Sequence, residues 1–130
     1  MDNIVARASS LGLRVAYRNL GRRNGELTRG GLIVVNYSKP VVVQRCTIAH
    51  EMGHWHYGHD WTRDHDRARD ERQADLYAAK LLISPLEYAL AEQVVGPHPT
   101  PLARELGVTP QLVRVWQENM AGSVPVARSA

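Results

Sequence analysis

Phenylalanine is absent from these 130 residues and cysteine occurs once. A lone Cys46 excludes an internal disulfide and fits a reducing compartment such as the cytoplasm. Without Phe, the interior has to be filled by Leu, Val, Trp and Tyr. No apolar run approaches the ~20 residues a bilayer-spanning helix needs, and the start, Met1-Asp2-Asn3, has no basic region followed by an apolar one. No membrane segment or leader is therefore expected, and the chain reads as soluble and unprocessed. Internal repeats and low-complexity tracts are missing too, which excludes solenoids and biased linkers. Charge of either sign is not in large excess: a net +3 permits an acidic or nucleic-acid partner without requiring one. What remains is a chain with 44% apolar and 22% charged residues, a composition that can fold, and a length that supports one hydrophobic core.

Along the chain, Asp2 to Leu11 reads as a helix with Asp2 or Asn3 as cap and Gly12 just past its end. Leu13 to Tyr17 and Leu32 to Val35 are β-rich runs on either side of a Gly- and Arg-rich stretch, Gly21 to Gly31, and predict a small antiparallel sheet. Asn36 to Pro40 is turn chemistry. Val43 to about Tyr57 then forms a helix on which Ile48, Met52 and Trp55 recur at helical spacing. Gly58 to Asp70 has no apolar period and reads as a surface loop. Arg67 to Ile83 is a second helix, with Ala74, Tyr77, Ala78, Leu81 and Leu82 on one face, ended by Ser84-Pro85. Gly96 to Pro101 reads as a connector, Leu102 to about Met120 as a helical pair, and Ala121 to Ala130 as a frayed tail.

The chemistry concentrates in His50-Glu51-Met52-Gly53-His54. On a helix, positions i and i+4 lie one above the other, so both imidazoles can reach one ion. Glu51 sits beside that face, where a carboxylate can take a proton from a water at the metal rather than ligate the metal itself. A catalytic zinc normally takes three protein ligands and keeps a fourth position for water. Glu71 supplies the third, because the preceding loop lets the chain reverse and present the next helix. His59 is an alternative third ligand. Asp75, one turn beyond Glu71, can accept the outward N–H of a ligating His. Ala74 and Ala78 are small enough for the two helices to approach. Cys46 reads as a small buried thiol, since a fourth protein ligand would close the site to water. The remaining polar groups of the loop, His56, Asp60, Asp64, His65 and Asp66, read as solvated.

Thr47-Ile48-Ala49-His50-Glu51-Met52-Gly53-His54, followed by Glu71-Arg72-Gln73-Ala74-Asp75-Leu76-Tyr77-Ala78-Ala79-Lys80-Leu81-Leu82-Ile83-Ser84-Pro85, resembles the ImmA/IrrE family of metallopeptidases, and the order of elements is similar over about residues 4 to 118. Glu-x-x-x-Asp after H-E-x-x-H also resembles the wider gluzincin group. The resemblance implies zinc held by His50, His54 and Glu71, with Asp75 supporting a ligand from behind. It also implies limited cleavage of one protein substrate, a helix-turn-helix repressor of a phage, mobile element or stress response. This chain departs from the pattern in having Asp75 where many relatives have Asn, Ile83-Ser84 before Pro85, and a short loop between His54 and Glu71.

The expected architecture is an α+β, zincin-like domain over residues 1–95: a small antiparallel sheet packed on the H-E-x-x-H helix, then the ligand helix. Residues 96–120 form a helix-turn-helix-like pair packed on it, and 121–130 a flexible tail. The outer strand, Leu32 to Val35, could take a substrate by β-addition. Tyr57, His59, Tyr77 and His98 are candidates to steady an oxyanion. Leu102 to Trp116 also fits a DNA-binding helix-turn-helix with Gln111 and Arg114 in the major groove. The alternative buries Val108, Val113 and Trp116 against the core. Direct DNA binding is not expected, because Arg104 and Arg114 are offset by Glu105 and Glu118 and would make few phosphate contacts. A non-catalytic, zinc-containing DNA- or repressor-binding regulator is the rival function. Glu51 argues against it, since a structural site has no use for a carboxylate beside an open metal position.

Overall fold

The computed structural model describes residues 3–59 and 67–123. The chain is α+β. Helix α1 (Ile4–Ser10) leads into a three-stranded sheet of β1 (Arg14–Arg18), β2 (Gly25–Leu27) and β3 (Leu32–Asn36), followed by α2 (Val41–Tyr57), α3 (Arg67–Leu82), α4 (Pro85–Val95), α5 (Pro99–Leu106) and α6 (Pro110–Ser123). Asn3 caps α1, its side chain accepting from the Ala6 N–H. No helix among the described residues is long and apolar enough to cross a membrane.

The sheet is mixed, not antiparallel as the strand pattern suggests. Its order is β1-β3-β2, with β1 parallel to β3 and β2 antiparallel to it. Leu32 to Val35 is thus the central strand, and the outer strand beside α2 is β2. The physical signal lies in β3 itself: Ile33, Val34, Val35 and Asn36 are all buried, and an unbroken apolar run marks a strand covered on both faces. Asn36 ends that run with a structural task. Its side-chain amide donates to the carbonyls of Gly21 and Arg23 and its oxygen accepts from Ser38, which pins the segment leading into β2.

Helix α2 is the central element, packed by α1, β2, β3 and α3. Cys46, Ile48, Ala49 and Met52 are buried in it, but Trp55, expected on the same face, lies more than a third exposed on the outside. Gly53 makes the contact with α3 possible: a Cβ there would lie 2.8 Å from the Ala74 Cα and 2.9 Å from its carbonyl oxygen. Ala74 and Ala78 are fully buried opposite it, as their size predicts.

Ser84-Pro85 ends α3 and also starts α4, because the Ser84 hydroxyl accepts from the Glu87 N–H and proline suits the first helical turn. A helix therefore occupies Pro85–Val95, which the stop signal alone does not provide for. The connector beyond it shortens to residues 96–98, since Pro99 opens α5. α5 and α6 join the same hydrophobic cluster as α1, the sheet and α2, contributing Leu102, Ala103, Val108, Leu112, Val113 and Trp116. Helix α6 continues to Ser123, past the start expected for the tail; Asp60, Asp64, His65, Asp66 and residues 124–130 lie outside the described residues.

Candidate metal centre and cleft

Helix α2 presents His50 and His54 one turn apart, and α3 brings Glu71 across the Gly53–Ala74 contact. The His50 Nε2 is 3.0 Å from the His54 Nε2, and the Glu71 Oε2 is 3.1 Å and 2.6 Å from those two nitrogens. These are the three side chains among the described residues that could hold a metal ion together. Asp75, one turn along α3, has its Oδ1 2.7 Å from the His50 Nδ1. A carboxylate oxygen accepts, so the His50 proton lies on Nδ1 and its Nε2 lone pair points at His54 and Glu71. Three electron-pair donors thus converge on one point, which fits a divalent cation of zinc type; a two-His, one-Glu set is one that catalytic zinc sites use.

Electrostatics separate the roles of the three neighbouring groups. Burial pushes the His54 pKa down to about 4, and the charge of His50 adds to this against the pull of Glu71, so His54 stays neutral and able to ligate at neutral pH. Burial also opposes charge on His50, but the hydrogen bond to Asp75 and the nearby carboxylates outweigh it and raise its pKa. Glu51 is only 7% exposed. Burial, opposed by His50 and aided by Glu71 and Glu26, lifts it to about 7, where a carboxylate is a more effective proton acceptor than an ordinary glutamate.

Two cavities flank the candidate ligands and share Arg23, Gly25, His50, Glu51 and Glu71, so they form one cleft over the candidate metal position. The larger, of about 560 Å³, runs from Arg22, Arg23 and Asn24 past Val43, Cys46 and Thr47 to Thr109, Gln111 and Leu112 at the start of α6. The smaller, about 360 Å³, extends along Glu26 and Leu27 toward Arg67. Strand β2 borders the cleft. Its ladder with β3 uses the Asn24 carbonyl, which accepts from Asn36 N–H, and the Thr28 N–H, which donates to the Leu32 carbonyl. By the two-residue alternation of an antiparallel pair, the backbone groups of Gly25 and Leu27 point the other way, to an edge that no other strand among the described residues covers. Gly25 is required here, since a Cβ would come within 2.5 Å of the Thr47 methyl.

His50, His54, Glu71, Glu51 and Asp75 are brought together as the spacing predicts. His59 does not join the His50-His54-Glu71 group: it stands behind His54, with its Nδ1 2.8 Å from the His54 Nδ1. The oxyanion candidates do not reach the cleft. Tyr57 is exposed and stacks on His59, Tyr77 packs on His56, and His98 is exposed at the start of α5. Sequence reasoning missed Arg22, Arg23 and Asn24. An Arg-Arg-Asn run between glycines was the available signal, since a short basic turn is an economical way to place cations at a cleft. It also missed that Gln111 lines this cleft. Gln111 and Arg114 further line a separate cavity of about 380 Å³ with Arg72 and Asp75 on α3, while Val113 and Trp116 are buried.

The fold and this ligand set define the class: a zincin-like α+β domain in which an H-E-x-x-H helix and the helix after it share one candidate metal centre. Residues 8–115 match the model of the IrrE N-terminal-like domain of the M78 peptidases, and the chain belongs to that metallopeptidase family. No curated protein matches the chain.

Proposed function

We propose that this domain is a zinc-dependent endopeptidase that makes a limited cut in one protein substrate, a helix-turn-helix repressor, and does so in the cytoplasm. The observation that carries the reading is the convergence of His50, His54 and Glu71 beside a buried Glu51, on a cleft that runs along a free strand edge. Zinc held by the three ligands would supply a Lewis acid that polarises both a water and the scissile carbonyl. Glu51 takes the proton from that water and passes it to the departing amine. Gly25 and Leu27 hold the substrate main chain as an added strand, which replaces the Leu32 to Val35 edge expected from sequence. The apolar wall of Val43, Cys46 and Leu112 receives a neighbouring side chain, and Arg22 and Arg23 favour an acidic one near the cleft mouth. Helix α6 serves as a wall of the cleft rather than as a DNA reader. The repressor as substrate is supported by the resemblance to the ImmA/IrrE family.

The test is incubation of zinc-loaded protein with any helix-turn-helix repressor found to be encoded beside its gene, read by intact-mass spectrometry. The wild type should yield one pair of fragments, and Glu51→Gln, with its zinc retained, none. Turnover by metallated Glu51→Gln would refute the mechanism, and an intact repressor after exposure to the loaded wild type would refute the substrate.

A further inference from the structure

His50 is held from behind by Asp75, and His54 meets a different group, a second imidazole, at its outward nitrogen. Its Nδ1 meets the Nδ1 of His59 at 2.8 Å. The other nitrogen of His59, Nε2, lies 2.9 Å from the Gln73 Oε1 and 3.3 Å from the Oδ1 of Asp70, whose side chain is 1% exposed. Both partners offer oxygen acceptors, so the His59 proton belongs on Nε2. Its Nδ1 is then the acceptor, and the proton between the two rings belongs to the His54 Nδ1. That leaves the His54 lone pair on Nε2, the atom facing His50 and Glu71. The direction of every hydrogen bond in the series follows from its far end.

The placement of His59 is built into the chain. Gly58 adopts φ 64°, a left-handed conformation glycine reaches without a Cβ penalty, and ends α2. The Gly58 N–H donates to the Trp55 carbonyl and the His59 N–H to the His54 carbonyl, both at 3.1 Å, in the two-bond pattern of a glycine-terminated helix. The chain turns back at that point and sets the His59 ring against His54.

We propose that His59 is a positioning residue for the metal: relayed from Gln73 and Asp70, it fixes the tautomer and ring angle of His54 as Asp75 fixes those of His50. This rests on the proposed ligation by His50, His54 and Glu71. α3 therefore supports both of the ligating histidines of α2, His50 through Asp75 directly and His54 through His59, which Gln73 and Asp70 hold from α3. Partners behind a ligating His typically change metal affinity by ~10–100-fold.

The experiment is zinc affinity by chelator competition on the purified protein, with thermal melts of the metal-free forms. His59→Leu keeps apolar bulk but offers no acceptor. His59→Asn places an amide oxygen where Nδ1 stood and can still accept from His54. His59→Leu should weaken zinc by ~10–100-fold, His59→Asn should recover most of it, and Gln73→Leu, which leaves His59 in place, should weaken it less. The cobalt-substituted His59→Leu protein should show an altered visible spectrum. Combining His59→Leu with Gln73→Leu should cost no more than His59→Leu alone, because both interrupt one series, whereas combining it with Asp75→Asn should multiply the losses. Wild-type affinity in His59→Leu, or His59→Asn as weak as His59→Leu, overturns the inference. If Glu71→Gln holds zinc as tightly as the wild type, the ligand assignment itself fails, a separate result.

Discussion

The Oδ1 of Asp75 lies 2.7 Å from the Nδ1 of His50, while Glu71, one turn earlier on the same helix, approaches the other nitrogen of that ring. One face of α3 thus touches both sides of a single imidazole. Glu71→Gln should lose zinc almost completely, because a neutral amide is a far poorer ligand, whereas Asp75→Asn should retain it with ~10–100-fold lower affinity. Metal analysis after dialysis against a graded chelator separates the two; equal retention would contradict the division of roles.

The free edge of β2 makes a separate prediction. Leu27→Pro removes a backbone N–H that points away from β3, so the ladder should survive while substrate loses one main-chain hydrogen bond. A net ~0.5–1.5 kcal/mol per such bond corresponds to roughly 2–10-fold in kcat/KM. Zinc content should be unchanged. An unaltered kcat/KM would place the substrate elsewhere.

Gly53 is the tightest point between α2 and α3. In an isolated helix Gly→Ala is favourable by ~1 kcal/mol, yet here the added methyl meets Ala74 backbone at 2.8 Å and the helices must separate. Gly53→Ala should therefore lower the melting temperature and weaken zinc, because Glu71 moves with α3. A higher melting temperature with unchanged zinc affinity would show that the interface gives way without cost.

Trp116 is buried on α6 and stacks on Tyr88 of α4 with ring centroids 4.2 Å apart. Trp116→Ala should destabilise the protein by ~3–5 kcal/mol in denaturant unfolding. A small effect would mean that the C-terminal helices are not part of the cooperative core.

Cys46 is buried, and that burial raises its thiol pKa despite a hydrogen bond to Thr109 and the charge of Arg45. Little thiolate is then present at pH 8, and alkylation by iodoacetamide should be much slower in the folded than in the denatured protein. Because Cys46 lines the larger cavity, a bulky disulfide reagent that does react should block substrate and spare zinc. Rapid labelling of the folded protein would count against the buried thiol.

Some features were legible because they are local. His50 and His54 share a face through the helical repeat alone, the need for a third donor from the following segment follows from the number of ligands a catalytic metal takes, and Ser84-Pro85 marks a helix boundary by its backbone chemistry. Strand order was not legible in that way. Leu32 to Val35 has the composition of a strand, but whether it lies at the edge depends on which segments cover its two sides. Its lack of alternation, with Asn36 buried at its end, was the clue. Arg22, Arg23 and Gln111 could not be placed from sequence, since they reach the cleft only through the Asn36 clasp and the packing of α6.

The sequence by itself determined which residues are candidates to hold a metal and the two helices that carry them, because residue type and the 3.6-residue period need no distant partner. The tertiary structure alone decided the sheet order, which strand borders the cleft and the place of His59 behind His54 rather than beside it. Those depend on contacts between segments far apart in the chain, and on a left-handed glycine that turns the end of α2 back upon its own His54.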